Sequence, residues 1–155
     1  MKQLTWAEHQ WSLFPEKALH HPESNTLFVT DLHLGKDSSF RHHGFPIPDG
    51  SLSNDLARLD QILNLTKPES LMILGDFFHS IEGASAEVIE QIQQWFIRHQ
   101  TLATSIVLGN HDRFLNHVFE MLPIKVLREP FEWNDLYLCH HPPDEKPERP
   151  SIVGH

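Results

Sequence analysis

Four short apolar runs that each break off into polar residues constrain this chain more than any other feature: TLFVTDLH at 26–33, LMILGDFFH at 71–79, SIVLGNHD at 105–112 and LYLCHH at 136–141. Each run is rich in β-branched or aromatic side chains and is bounded by Gly, Asp or Asn, which favours buried strands over fragments of helix. SIVGH at 151–155 is a shorter fifth instance. Helical periodicities lie between them. SLSNDLARLDQILNLT sets Leu52, Leu56, Leu59, Ile62 and Leu63 on one stripe, with Ser53 or Asn54 as the cap. ASAEVIEQIQQWFIRHQ does the same with Val88, Ile89, Ile92, Trp95 and Phe96. Strands alternating with helices predict a layered α/β fold with right-handed crossovers. The N-terminal LTWAEHQWSLFPEKALHH is expected to add short extended segments that form a second, partly antiparallel sheet, and HHPPDEKPERP an exposed loop.

The chain of 155 residues contains no internal repeat and no convincing linker, so a single domain over 1–155 is expected. The single cysteine, Cys139, excludes an internal disulfide and fits a reducing compartment. No apolar run reaches the length of a membrane span, and MKQLTWAEHQ lacks the basic start and apolar core of a signal peptide. A cytoplasmic protein without membrane association is expected. The formal charge of -9 argues against a basic surface that grips duplex DNA at long range. A phosphate-bearing ligand would need a local source of positive charge, and metal ions held by acidic residues are one such source.

Ligands of open α/β sheets bind beyond the carboxyl ends of the strands, where every polar cluster of this chain falls. Asp31 and His33 are two apart on an emerging strand and share a face. Asp76 follows Gly75, Asn110 and His111 follow Gly109, and His140 closes the fourth run. Carboxylate, amide and imidazole together suit manganese, iron or zinc better than magnesium. The set is too large for one ion, whereas two ions bridged by one carboxylate would use it all, a common arrangement for phosphoryl chemistry. His20, His21, His42, His43, His99 and His117 lack such a context and are expected at the surface or in loops.

DLH at 31–33, GDFFH at 75–79, GNHD at 109–112, CHH at 139–141 and GH at 154–155 occur in the order of a known signature. The sequence resembles the calcineurin-like metallophosphoesterase superfamily, whose motifs run DxH, GDxx, GNHD or GNHE, an isolated His and GHxH. TLFVTDLHLGKDSSFRHHGFPIP and the PEKAL stretch before it most resemble the PdeM group, bacterial phosphodiesterases described as ligase-associated DNA damage response endonucleases. The resemblance implies a layered α/β/β/α sandwich. It also implies that Asp31 and His33 hold a first divalent ion, that Asp76 bridges, and that Asn110, His140 and His155 complete a second. His111 would be the acid that protonates the leaving alkoxide or a support for the scissile phosphate, and Asp112 would orient its loop. GDFFH is similar to the motif of double-strand-break repair nucleases, which makes His79 a candidate substrate contact; Arg41 is a second, able to hold a phosphate in bidentate fashion. The family's GHxH brings a further histidine to the first ion, and this sequence stops at His155. A domain lacking its C-terminal strands and one metal ligand is therefore expected.

The function implied is a phosphodiesterase with two divalent ions, manganese first and iron or zinc as alternatives. Its substrate would be nucleic acid ends or single strands in repair, with ligase-associated repair proteins as partners. Two other functions compete: hydrolysis of a small phosphodiester or pyrophosphate, such as a nucleotide or a lipid A precursor, and a shortened, catalytically poor interaction domain.

Overall fold

The computed structural model describes residues 1–48, 50–144 and 146–155. In chain order these form β1 (Lys2–Trp6), β2 (His9–Phe14), β3 (Ala18–His21), β4 (Thr26–Val29), α1 (Lys36–His42), α2 (Ser51–Thr66), β5 (Ser70–Leu74), α3 (Ala86–Arg98), β6 (Ala103–Val107), α4 (Asn116–Phe119), β7 (Ile124–Leu127), β8 (Phe131–Trp133), β9 (Leu136–Cys139) and β10 (Ser151–Val153). Strands β1 to β7 lie side by side in sequence order in one sheet, and β10, β9 and β8 form another. The first four strands run antiparallel, and β4 to β7 run parallel, with Val29 opposite Ile73 and Leu74 opposite Val107. That register brings the residues after β4, β5 and β6 to the same end of the sheet.

Alternating side chains on the parallel strands feed two cores, as a period of two requires. Leu27, Val29, Leu71, Ile73 and Ile106 face α2 and α3, meeting Leu56, Leu59, Ile92 and Trp95. Phe28, Met72, Leu74 and Val107 face the smaller sheet and meet Trp11, Leu136 and Leu138. The buried side chains of α2, α3 and α4 belong to the first core, and α1 packs on α2. The described residues thus form a mixed α/β fold layered as helix, sheet and sheet, with no helix among them placed on the outer side of the smaller sheet. No described helix is long and apolar enough to cross a membrane.

The structure corrects the expected layout at several points. The N-terminal strands extend the large sheet instead of founding a second one, because a tight turn, Asn25 N to Pro22 O at 3.2 Å, folds β3 back onto β4. The second sheet is built from β8, β9 and β10 instead. The four polar tails lie outside the strands, which end at Val29, Leu74, Val107 and Cys139. Helix α2 spans the predicted residues, but its cap is Gly50, at φ 125 and without a side-chain bond, so Ser53 and Asn54 sit inside the helix. Ser85 caps α3 through Val88 N.

His21, expected at the surface, is 1% exposed between the sheets, with ring centroids 4.8 Å from Trp11 and 5.1 Å from Trp133. Its Nδ1 accepts from the Ser24 N–H at 3.2 Å, so the Nε2 proton is free to donate to His9 Nδ1 at 3.2 Å. Burial, followed by the neighbouring His9, lowers its pKa. The unfolded chain therefore takes up a proton that folded His21 resists, and stability should fall as pH drops below about 6.5, until the lowered folded pKa is passed. Urea midpoints across this range should show a shallower acid decline in His21→Phe than in the parent; identical slopes would refute this assignment.

Candidate metal centre

β4 and β5 stop where they do because the backbone turns left-handed just beyond them. Asp31 (φ 50), His33 (φ 47) and Asp76 (φ 52) all adopt positive φ, a costly conformation for residues with side chains. Main-chain bonds between the two loops hold it: Asp31 N to Gly75 O at 3.3 Å, His33 N to Asp76 O at 2.9 Å and Leu34 N to Phe77 O at 2.8 Å. The result gathers ligand atoms in two groups. Those of Asp31, His33 and Asp76 lie within 4.8 Å of one another, as do those of Asp76, His140 and His155. Asp76, 2% exposed, belongs to both.

His140 is fully buried, and its surroundings define its tautomer. Nδ1 lies 2.9 Å from the Leu74 carbonyl, which can only accept, so Nδ1 carries the proton. In the neutral ring, Nε2 then presents a lone pair to Asn110 Oδ1 at 3.2 Å and Asp76 Oδ1 at 3.4 Å. Three electron-rich atoms converge there, an arrangement that a cation makes favourable. The residues present therefore fit a divalent ion. Two glycines permit the approach: a Cβ on Gly75 would run into the His140 imidazole, and one on Gly154 into the Leu74 carbonyl.

Eight of the ten residues singled out in the sequence converge here. His111 places Nε2 3.8 Å from Asp76 Oδ2 and donates its main-chain N–H to Asp76 Oδ1 at 3.3 Å. His33 Nε2 is 3.9 Å from Asp76 Oδ2. His79 stands beside both, 5.7 Å from the His33 ring and stacked at 6.1 Å on His111. Burial chiefly, then His33, Lys36 and His111, lowers the His79 pKa. The exposed His155 joins through its main chain, donating N–H to His140 O at 2.8 Å.

The remaining two sit differently. Asp112 is fully buried and accepts from Phe77 N, Phe78 N and Gly109 N at 3.2, 3.1 and 3.0 Å, stapling the GDFFH loop to the GNHD loop. Its pKa is raised by burial, against the lowering effect of those three bonds. Arg41 lies on α1 with its guanidinium 3.8 Å from Asp37 Oδ2.

Two supporting residues were missed in the sequence. Thr30 Oγ1 lies 2.8 Å from Gly154 O, 3.1 Å from Leu74 O and 3.2 Å from Asp31 Oδ1, joining three segments of the centre. Glu129 Oε2 accepts from His140 N at 2.9 Å. Thr30 adjoins Asp31 and could have been suspected, whereas Glu129 lies between β7 and β8 in a stretch without any motif.

Comparison with known proteins agrees with this geometry. The family model for calcineurin-like phosphoesterases matches residues 24–149. The solved structure described as Pseudomonas putida nuclease MPE is similar, with a TM-score of 0.85 and 28% sequence identity, over 98% of this chain and 71% of that one. No curated protein matches the sequence significantly.

If Gly75 leaves room for His140, Gly75→Ala should displace the ring and weaken divalent-ion binding by about 10- to 100-fold, as loss of a supporting contact typically does. Calorimetric titration with manganese reads this directly, and unchanged affinity would show that the close approach is dispensable.

Proposed function

The chain belongs to the calcineurin-like phosphoesterase family, and on that premise we propose that it is a phosphodiesterase working with two divalent ions and cutting nucleic acid at ends or in single strands during repair. The observation that carries this reading is the Asp76 carboxylate shared by both ligand groups. Asp31 and His33 would hold one ion with Asp76, while Asn110, His140 and His155 would complete the other. Manganese suits this mixture of nitrogen and oxygen donors, with iron or zinc as alternatives. Divalent ions there supply Lewis acidity toward a phosphoryl oxygen and make water acidic near neutral pH.

The chain's own residues supply the rest. His111 faces Asp76 on one side and is 38% exposed, so it can meet both the centre and a substrate arriving from solvent. It is the group assigned to protonate the leaving alkoxide. Asp112 keeps His111 in place by fixing the loop that carries it. The likeness to a nuclease supports a nucleic acid substrate, and the charge of -9 favours ends or single strands over a long duplex footprint.

Hydrolysis of bis(p-nitrophenyl) phosphate should require manganese or a similar ion, and His111→Ala should lower kcat by about 10²- to 10⁴-fold on an oligonucleotide, whose alkoxide leaving group needs the proton that p-nitrophenolate does not. Asp76→Asn should abolish turnover and reduce the amount of manganese bound. Absence of hydrolysis with manganese, iron and zinc alike would overturn the reading.

A further inference from the structure

A row of aromatic rings runs from the surface to the candidate metal centre. Phe45 stands edge-on to Phe40 at 6.2 Å, Phe40 lies 5.7 Å from His79, and His79 stacks on His111 at 6.1 Å with an interplanar angle of 17°. The outer end is open: Phe45 is 58% exposed and Ile47, two residues on, 37%. Isolated apolar side chains at a surface need no explanation, but a contiguous row ending at ionisable side chains does. Cations accompany it. The exposed Lys36 places Nζ 5.9 Å from the Phe40 centroid, and Arg41 is exposed on the same short helix. On a chain of charge -9, this segment combines flat apolar faces with positive charge.

We propose that Phe45 and Phe40 form a stacking platform for an unpaired base beside the scissile phosphodiester, with Lys36 against a flanking phosphate. The platform rests on the phosphodiesterase reading given above and adds to it the part of the substrate that is recognised. Rings and a cation side by side match the alternation of base and phosphate in a single strand. Within a duplex, the base faces are already stacked on one another, so the platform selects strands whose bases are free.

The test compares a short oligothymidylate with an abasic strand of equal length, by fluorescence anisotropy and with strand integrity checked on a gel. The parent protein should bind the base-bearing strand about 5- to 150-fold more tightly, the range expected for stacking of one base. Phe45→Ala should bring that ratio close to one, Phe45→Trp should retain it, and Ile97→Ala, at an exposed position on α3 away from the row, should leave it unchanged. Lys36→Gln should reduce the slope of log K against log salt by about 0.7, the value for one phosphate of a single strand. Equal binding of both strands by the parent, or a Phe45→Ala variant that weakens both equally, would overturn the platform. Aryl diester hydrolysis without a base preference rejects the platform and leaves the phosphodiesterase standing; a base preference without hydrolysis does the reverse.

Discussion

The carboxylate of Asp76 is the constraint around which this end of the molecule is arranged. It is nearly inaccessible to water, and an ionised carboxylate removed from water is costly unless it is paired. The His111 N–H reaches one oxygen, and the imidazoles of His33, His111 and His140 approach within 4 Å. Those neighbours can crowd in because Gly75 contributes no side chain where His140 lies, and Gly109 none where Asp76 itself lies. Removing either space would push apart groups whose proximity is the basis of the proposed chemistry.

The site also depends on contact between the sheets, since each contributes to it. β4, β5 and β6 deliver Asp31, His33, Asp76, Asn110 and His111, while β9 and β10 deliver His140 and His155. The apolar layer of Phe28, Met72, Leu74, Val107, Leu136 and Leu138 sets their spacing, and two polar links set the register. One is the His140 ring on the Leu74 carbonyl; the other is the Thr30 hydroxyl between Leu74 O and Gly154 O. Core substitutions far from any ligand atom would therefore reach the centre by sliding one sheet over the other. Close packing transmits such shifts, because interiors have little free volume to absorb them.

Much of this was legible in the sequence, and what was legible had a local cause. The stripe of Leu52, Leu56, Leu59, Ile62 and Leu63 is buried as its spacing predicts, and the polar tails of the parallel strands do meet. What escaped depended on contacts between distant residues. The placement of β1 to β3 follows from the turn at Pro22 to Asn25, which decides whether β3 pairs with β4 or leaves the sheet. β7 and β8 hold four and three residues, too few to display a period. His21 looks no different in sequence from the half-buried His20 beside it, and only the approach of Trp11 and Trp133 from two sheets buries it. Glu129 acts on His140 across the gap from the β7–β8 connection, so no spacing rule could reveal it.

An acidic protein that handles a polyanion has to concentrate its positive charge where the substrate must go. Here the side chains at the candidate centre include two carboxylates, Asp31 and Asp76, so the centre attracts phosphate only through the ions it could hold. Lys36 and Arg41 stand on the helix that follows the first ligand loop, next to the aromatic row. The net charge of -9 opposes a second phosphate chain at distances up to the Debye length, about 8 Å at physiological salt. Local attraction within general repulsion disfavours lengthwise binding along a duplex and favours a strand that enters by its end or through a break. On this argument the proposed selectivity for free strands would come as much from the acidic exterior as from the site, and it would weaken as salt screens the repulsion.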